Sequence, residues 1–226
     1  MTASPAMQEY LAEAYRLAHY QSDDPYVSTS ALADVLNVSP PAVTRMVQRL
    51  KDAGYLEHEP YRGIKLTSNG EYEALMSIRR HRLVERFLVD VMGFGWHEVH
   101  ETADELGGTV GDVVVDRMSE MAGHPHRCPH GEPIPSVDGV MPNVIDRPLT
   151  EVTPGEYILS RVHTHDADKL RYLDQLSLKP GTRFELVQLA PFSGPLHLKV
   201  SGVDHHIGHE LGNNLRVSTA EEFAAV

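Results

Sequence analysis

Between Ser28 and Thr67 the chain carries two short apolar stripes at helical spacing, a two-residue break between them, and two strand-like runs around a turn. Few folds accommodate that order. The first stripe is Leu32, Ala33 and Leu36, following Ser28 to Ser30. Asn37-Val38 makes a short turn into Ser39-Pro40-Pro41, where Ser39 is placed to cap a helix whose apolar face is Val43, Met46, Val47 and Leu50. Gly54 stands where a left-handed residue would stop it. Tyr55 to Glu59 and Ile64 to Thr67 then flank Pro60-Tyr61-Arg62-Gly63, which reads as a β-hairpin. Upstream, Ser4 and Pro5 start a helix with Met7, Tyr10, Leu11, Ala14 and Ala18 on one face, ending before Asp23-Asp24-Pro25. Helix, tight turn, helix and hairpin within about 65 residues is the order of a winged helix-turn-helix domain.

Downstream, Ser68 and Glu71 predict a capping box that opens a long helix to about Val91, with Val84, Phe87, Leu88 and Val91 on one face and Gly93 beyond its end. A further helix is expected over Trp96 to Leu106, interrupted by Gly107-Gly108, and another over Asp112 to Met121. These helices are expected to build a dimer interface. Proline and glycine cluster between Gly123 and Pro154, which marks a linker. Tyr157 to Val162, Arg183 to Leu189, Leu196 to Val200 and Leu215 to Val217 are strand candidates, with a helical turn near Asp168 to Leu176, so a small β-barrel is expected at the C-terminus. The expected fold class is therefore a mainly α N-terminal winged helix-turn-helix plus a helical dimerisation domain, followed by a small β-barrel domain. The corresponding boundaries are 1–70, 71–145 and 150–226.

With 226 residues, 41% of them hydrophobic, the chain is long enough to bury real cores. It contains no run approaching the roughly 18 apolar residues of a membrane span and no basic-then-apolar leader, so a cytoplasmic location with no membrane partner is expected. One cysteine, Cys128, excludes an intramolecular disulfide framework and a four-cysteine zinc site. The net charge of −12 argues against nucleic acid until its distribution is considered. Residues 39–65 hold five basic side chains against three acidic ones, whereas residues 96–120 hold seven carboxylates and one Arg. An acidic segment beside a DNA-facing one is what cation gating requires, because unneutralised carboxylates oppose approach to phosphate.

On the third helix, Ser39, Pro41, Ala42 and Thr44 are placed to meet base edges, Arg45 a guanine or a phosphate, with Gln48 and Arg49 one turn further. Arg62 and Lys65 on the hairpin are placed for backbone phosphate. The same face could instead be solvated, in a winged domain that binds protein. His81 and Glu85 share a helix face at four-residue spacing and could clasp one ion, with His100 as third ligand if the next helix folds back. Alternatively the pair is an exposed polar one. His124, His126, Cys128 and His130 have the ligand types for a transition metal but lack paired spacing, and a structural role is favoured; His205, His206 and His209 are read as decorating a barrel turn. No nucleophile motif or phosphate-cradling loop accompanies them, so neither an enzyme nor a small organic substrate is expected. A winged-helix regulator sensing an organic effector, and an adaptor whose barrel binds a peptide, remain as rivals.

Ser39-Pro40-Pro41-Ala42-Val43-Thr44-Arg45-Met46-Val47-Gln48 and Tyr61-Arg62-Gly63-Ile64-Lys65-Leu66-Thr67-Ser68 resemble the diphtheria toxin repressor family, especially its manganese transport regulator branch. His81-Arg82-Leu83-Val84-Glu85-Arg86, Val99-His100-Glu101 and the Pro129-to-Pro135 segment are similar too, as is the C-terminal part to that family's Src-homology-3-like domain. The resemblance implies a homodimer that binds palindromic double-stranded operator DNA when loaded with Mn2+, or alternatively Fe2+, and represses metal-uptake genes. It implies an ancillary metal site at His81, Glu85 and His100, completed by His163 and Asp166, with His165 and Asp168 close behind. For the primary site it points to Glu9 and Asp104, a hard carboxylate that favours manganese. The next two ligand positions, a glutamate and a histidine in the family, are Gly107 and Gly108 here. That site is therefore lost, rebuilt from Glu101, Asp104 or Glu105 with Glu9 or Glu13, or shifted.

Overall fold

The computed structural model describes residues 3–20 and 24–225. Asp23, before which the first helix was expected to end, lies outside the described residues. The chain divides into two compact units, one comprising the residues up to His81 with Gly107–Val110 and Pro135–Met141, the other Arg82–Leu106, Gly111–Ile134 and the chain from Pro142 onward.

In the first unit α1 (Pro5–Tyr20), α2 (Thr29–Val35), α3 (Pro40–Asp52), β1 (Leu56–Glu59) and β2 (Gly63–Leu66) follow the expected order. Ser4 Oγ accepts from the Met7 N–H at 3.4 Å and Ser28 Oγ from the Ala31 N–H at 3.1 Å, so each helix start satisfies one otherwise orphaned donor. Ser39 occupies the N-cap of α3 without a side-chain cap bond; Pro40 and Pro41 pre-set the first turn instead. Leu11, Leu32, Val43, Leu50 and Ile64 meet in one core, which fixes α3 against the other helices and turns its polar face outward. The backbone of Val27 pairs with Ile64 in both directions, at 2.8 and 2.9 Å, tying the hairpin to the helices. Gly63 permits that contact: at φ +122° its position admits no Cβ, which would lie 2.3 Å from the Val27 carbonyl oxygen.

The capping box expected at Ser68 and Glu71 is absent. Helix α4 (Ser68–Asp90) begins one residue earlier than that motif requires, and Thr67 caps it by accepting from the Gly70 N–H at 3.2 Å. Thr67 is still held by the hairpin, its N–H donating to the Tyr55 carbonyl, so tertiary structure chose between two adjacent hydroxyl residues.

The second unit holds the end of α4, most of α5 (Val99–Gly107), α6 (Asp112–Met121) and the C-terminal domain. Trp96 does not lie on a helix as expected. Positive φ at Gly93 ends the preceding segment, and Trp96 packs among Leu159, Leu186 and Leu198 in the C-terminal core, so α5 starts only at Val99. Burying so large an apolar side chain outweighs the modest propensity for one more helical turn.

The C-terminal barrel is a six-stranded antiparallel sheet in the order β3-β8-β4-β5-β6-β7. Its strands are β3 (Arg147–Pro148), β4 (Gly155–Val162), β5 (Arg183–Leu189), β6 (Leu196–Val200), β7 (Val203–Ile207) and β8 (Leu215–Ser218). Helix α7 (Ala167–Gln175) and the short helix α8 (His209–Asn213) fill the connections. Strand β7 corrects the reading of His205 and His206 as turn residues. Their segment shows no apolar alternation, yet it pairs with β6 over its whole length. Among the described residues no helix is long and apolar enough to cross a membrane.

Candidate metal centre and nucleic-acid interface

Burial of Val43, Val47 and Leu50 leaves Ser39, Pro41, Thr44, Arg45, Gln48 and Arg49 exposed on α3, with Ala42 partly so. Gln48 Nε2 donates to Asp52 Oδ1 at 2.7 Å and the Thr44 hydroxyl to the Pro40 carbonyl at 3.0 Å; Arg45 and Arg49 project beside them. At the hairpin Lys65 is exposed, whereas Arg62 stacks at 3.8 Å over Tyr26 and pairs with Glu59 at 3.4 Å and Asp24 at 3.6 Å. These pairs are open to solvent, where exchange of a carboxylate for a phosphate costs little.

The second unit contains a different chemistry. Glu85 is only 2% exposed, on the turn of α4 after His81. Its Oε1 lies 3.1 Å from His100 Nδ1 on α5 and 3.5 Å from Nδ1 of the buried His130. Cys128 Sγ joins Glu85 and His130 in a fully buried group whose donor atoms lie within 4.8 Å of one another. His165 stacks on His100 with ring centroids 3.6 Å apart and meets His130 edge-on at 5.2 Å. The fold carries Cys128 and His130, far along the chain from Glu85, up against its carboxylate. The reason is local. Gly131, at φ +89°, turns the chain over the β4 bulge at Ser160, where a Cβ would come within 2.1 Å of the Ser160 carbonyl. The cysteine and histidine two residues apart carried the signal, but no spacing reveals their partner.

The tautomer of His130 decides what this group can do. Its Nε2 lies 2.9 Å from the Trp96 carbonyl, which only accepts, so that nitrogen carries the hydrogen. Nδ1 then turns a lone pair toward a carboxylate oxygen and makes no hydrogen bond. Two acceptors at that separation repel unless a proton or a cation lies between them. An imidazole that donates its other N–H to a backbone carbonyl is also the usual arrangement of a metal-binding histidine. Burial, and secondarily Glu85, push the Cys128 thiol pKa well above its ordinary value, so as a plain acid it stays protonated. The donor set of carboxylate, imidazole and thiol fits a divalent cation, which would bring two acids and a lone pair into register.

A belt of charge holds the loop that carries these donors. Glu132 lies 3.3 Å from both Arg82 and Arg161 and 3.2 Å from His163 Nε2. Burial alone would raise its pKa, but His163, Arg82 and Arg161 outweigh that and hold it well below the usual carboxylate range. Arg161 reaches on to the buried Asp146 at 2.6 Å, and Arg216 contacts the same carboxylate at 2.9 Å. Arg82 also donates to the Pro133 carbonyl. His163 is thus engaged with the belt. Asp166 N-caps α7, accepting from the Asp168 and Lys169 N–H groups at 2.9 and 3.0 Å. Glu9 is exposed on α1, and Glu101, Asp104 and Glu105 are exposed on α5, where Asp104 Oδ2 lies 3.7 Å from His100 Nε2.

Three family profiles cover these segments. They are described as the iron dependent repressor N-terminal DNA binding domain (residues 2–64), the iron dependent repressor metal binding and dimerisation domain (67–136) and the FeoA domain (147–219). The HTH-type transcriptional regulator MntR of Oceanobacillus iheyensis is 31% identical over 54% of this chain and 80% of its own length. The diphtheria toxin repressor of Corynebacterium glutamicum is 27% identical over 84% of this chain and 87% of its own. The chain belongs to the diphtheria toxin repressor family. A solved structure of a manganese-dependent transcriptional repressor in complex with manganese superposes with a TM-score of 0.86 at 29% identity, covering 94% of this chain and 99% of that one. As a family member the chain is a metal-dependent transcriptional repressor, not an enzyme. Its dimerisation and metal-binding segment includes Glu85, His100, Cys128 and His130.

Gly107 and Gly108 gain meaning in that light. Neither has positive φ; a Cβ at Gly107 would meet nothing within 4 Å and one at Gly108 only Pro5 Cβ at an ordinary 3.5 Å. Backbone geometry therefore does not demand glycine at either position. The double substitution Gly107→Glu with Gly108→His is expected to leave thermal stability within about 1 kcal/mol of the parent, since each exchange removes a flexible residue near a helix end. It is expected to add one equivalent of bound Mn2+ in equilibrium dialysis. Unchanged stoichiometry in a folded double variant would show that these positions no longer face ligands.

Proposed function

We propose that this repressor responds to manganese, and that loading the buried centre at Glu85 and His130 switches its affinity for palindromic double-stranded operator DNA as a homodimer. The observation carrying the reading is the His130 Nδ1 lone pair held against Glu85 by the Trp96 carbonyl. His81, one turn before Glu85, and His100 complete the proposed ligand set, with His163 and Asp166 nearby in sequence and Glu9, Glu101, Asp104 and Glu105 as a carboxylate reserve. A bound divalent cation supplies positive charge that offsets these acids. Glu85, His100 and His130 would hold it, while the Glu132 belt keeps the Cys128-to-His130 loop in place. The proposed division of labour follows boundaries at 1–70 for DNA, 71–145 for metal and dimerisation, and 150–226 for the C-terminal domain, all in the cytoplasm.

Manganese is favoured because the exposed donors are carboxylates and because of the likeness to a manganese-bound repressor. Iron is the second reading, favoured by the Cys128 thiol, a softer donor than any carboxylate. Fluorescence anisotropy with DNA from metal-uptake promoters, at fixed salt, separates them: Mn2+, anaerobic Fe2+ and excess chelator are compared. Tightening by metal and its reversal by chelator are expected, and operator DNA must tighten metal binding by the same factor. Binding indifferent to chelator would remove the switch.

At saturating metal, Arg45→Ala is expected to weaken operator binding. If Arg45 meets phosphate, the slope of log K against log salt falls in magnitude by about 0.9. An unchanged affinity would take the exposed face of α3 out of the interface.

A further inference from the structure

On the outer face of the C-terminal sheet, far along the chain from the donors above, β5, β6 and β7 place Gln188, His197 and His206 in one row across three strands. Glu185, Lys199 and Asp204 form the next row. Leu196, Leu198 and Val200 point the other way, into the core, so alternation along β6 obliges His197 to face solvent. His197 and His206 stand directly opposite each other in the β6/β7 register. Their rings are stacked, with centroids 4.5 Å apart and planes within 13°. His197 Nε2 lies 2.8 Å from Asp204 Oδ1 on the diagonal position of β7. A carboxylate accepts only, so Nε2 carries the hydrogen and Nδ1 offers a free lone pair.

We infer that His197 and His206 form a separate surface site for a borderline divalent transition-metal ion, with Asp204 as the positioning residue that fixes the donor nitrogen of His197. Directly opposed strand residues have Cβ atoms about 4.5–5.5 Å apart. Two imidazoles on one tetrahedral ion at about 2.05 Å need donor nitrogens roughly 3.3 Å apart, a separation that tilting the two stacked rings together supplies. The carboxylate, imidazole and ion order matches the outer-shell support of histidine ligands generally. Asp204 and Glu185 flank Lys199 in the neighbouring row and offset its charge. A site built on imidazole follows the divalent series in which manganese stands lowest, so zinc, nickel, cobalt or copper would occupy it and manganese would not. Its two donors are both imidazoles, whereas the buried centre includes the Glu85 carboxylate, and it is independent of the function proposed for that centre.

The test is titration of the full-length chain with Zn2+ alone, by calorimetry and by chelator competition. The parent is compared with H197Q/H206Q, H206Q, D204N and the neighbouring H205Q, whose side chain belongs to the opposite face. The parent is expected to bind one more equivalent of Zn2+ than H197Q/H206Q, and H206Q is expected to lose the same equivalent. D204N is expected to keep it with affinity weakened about 10- to 100-fold. H205Q should match the parent, and a tenfold excess of Mn2+ should leave the equivalent in place. Metal-free unfolding curves verify that each variant is folded; both H197 and H206 side chains lie on the surface, and H206Q alone suffices should the double variant not fold. Equal stoichiometry and affinity in the parent and H206Q would overturn the inference, as would equal loss in H205Q.

Discussion

Replacing Glu85 by alanine is expected to raise the Mn2+ concentration needed for half-maximal operator binding by at least about a hundredfold, because even outer-shell partners of a ligand cost 10- to 100-fold. Glu85 is a buried carboxylate that two imidazoles, those of His100 and His130, both approach. Stability should register the same loss. At a metal concentration 100 times the parent dissociation constant, linkage gives about 2.7 kcal/mol of stabilisation, and a hundredfold weaker site retains only about 0.4 kcal/mol. Glu85→Gln preserves the shape and removes the charge, so its metal-free form should unfold at or above the parent temperature while its metal-induced shift disappears. A Glu85→Gln protein that keeps the parent's metal-induced shift would dismiss this residue as a ligand.

Asp146→Ala is the second large effect, an expected loss of about 3–5 kcal/mol at neutral pH, the usual result of removing one partner from a buried ion pair. The Asp146 side chain is 1% exposed and serves Arg161 and Arg216 together, tying β4 to β8. Arg161 would keep Glu132, but Arg216 would lose its carboxylate in a half-buried position. The pH dependence has a defined sign. Burial raises the Asp146 pKa, but hydrogen bonds and charge from Arg161 and Arg216 outweigh it, and the net value is lowered. A depressed carboxylate contributes stability that is fully present above its unfolded pKa of about 3.9 and is lost as pH falls toward the folded value. The gap between parent and Asp146→Ala in urea unfolding should therefore be widest at neutral pH and narrow below about pH 4. A gap that stays constant through that range would place the stabilisation in packing rather than charge.

The sequence marks these two residues very differently. Glu85 announced itself by its spacing from His81 on one helix face, and the resemblance to a known family gave it a role. Asp146 fell within a segment that reads only as a proline-rich linker, and no periodic pattern marks it. Its importance arises because residues 15 and 70 positions further on converge upon it. Cys128 and His130 stand between these cases. Their ligand chemistry was visible, but a tight pair with one cysteine is more often structural than not, and the deciding partner lay some forty residues upstream.

What the sequence determined by itself was the order and kind of the elements set by local periodicity. The winged helix-turn-helix order, the exposed face of α3, the long α4 and four of the sheet strands follow from apolar spacing, from hydroxyl residues at helix starts and from glycines at turns. Those features depend on neighbours within a turn or a pleat, and such neighbours are written side by side. Tertiary structure alone decided that Thr67 rather than Ser68 caps α4, because the hairpin already holds Thr67. It decided that Trp96 leaves the helix for the C-terminal core and that a polar, histidine-rich run becomes β7, because burial and a pairing edge outweigh weak local preference. It also decided the protonation geometry of His130, since the Trp96 carbonyl that fixes one nitrogen and the Glu85 carboxylate that faces the other come from different elements. Long-range donors and acceptors have no spacing rule, and the chemistry of this centre was therefore settled only when the chain had folded.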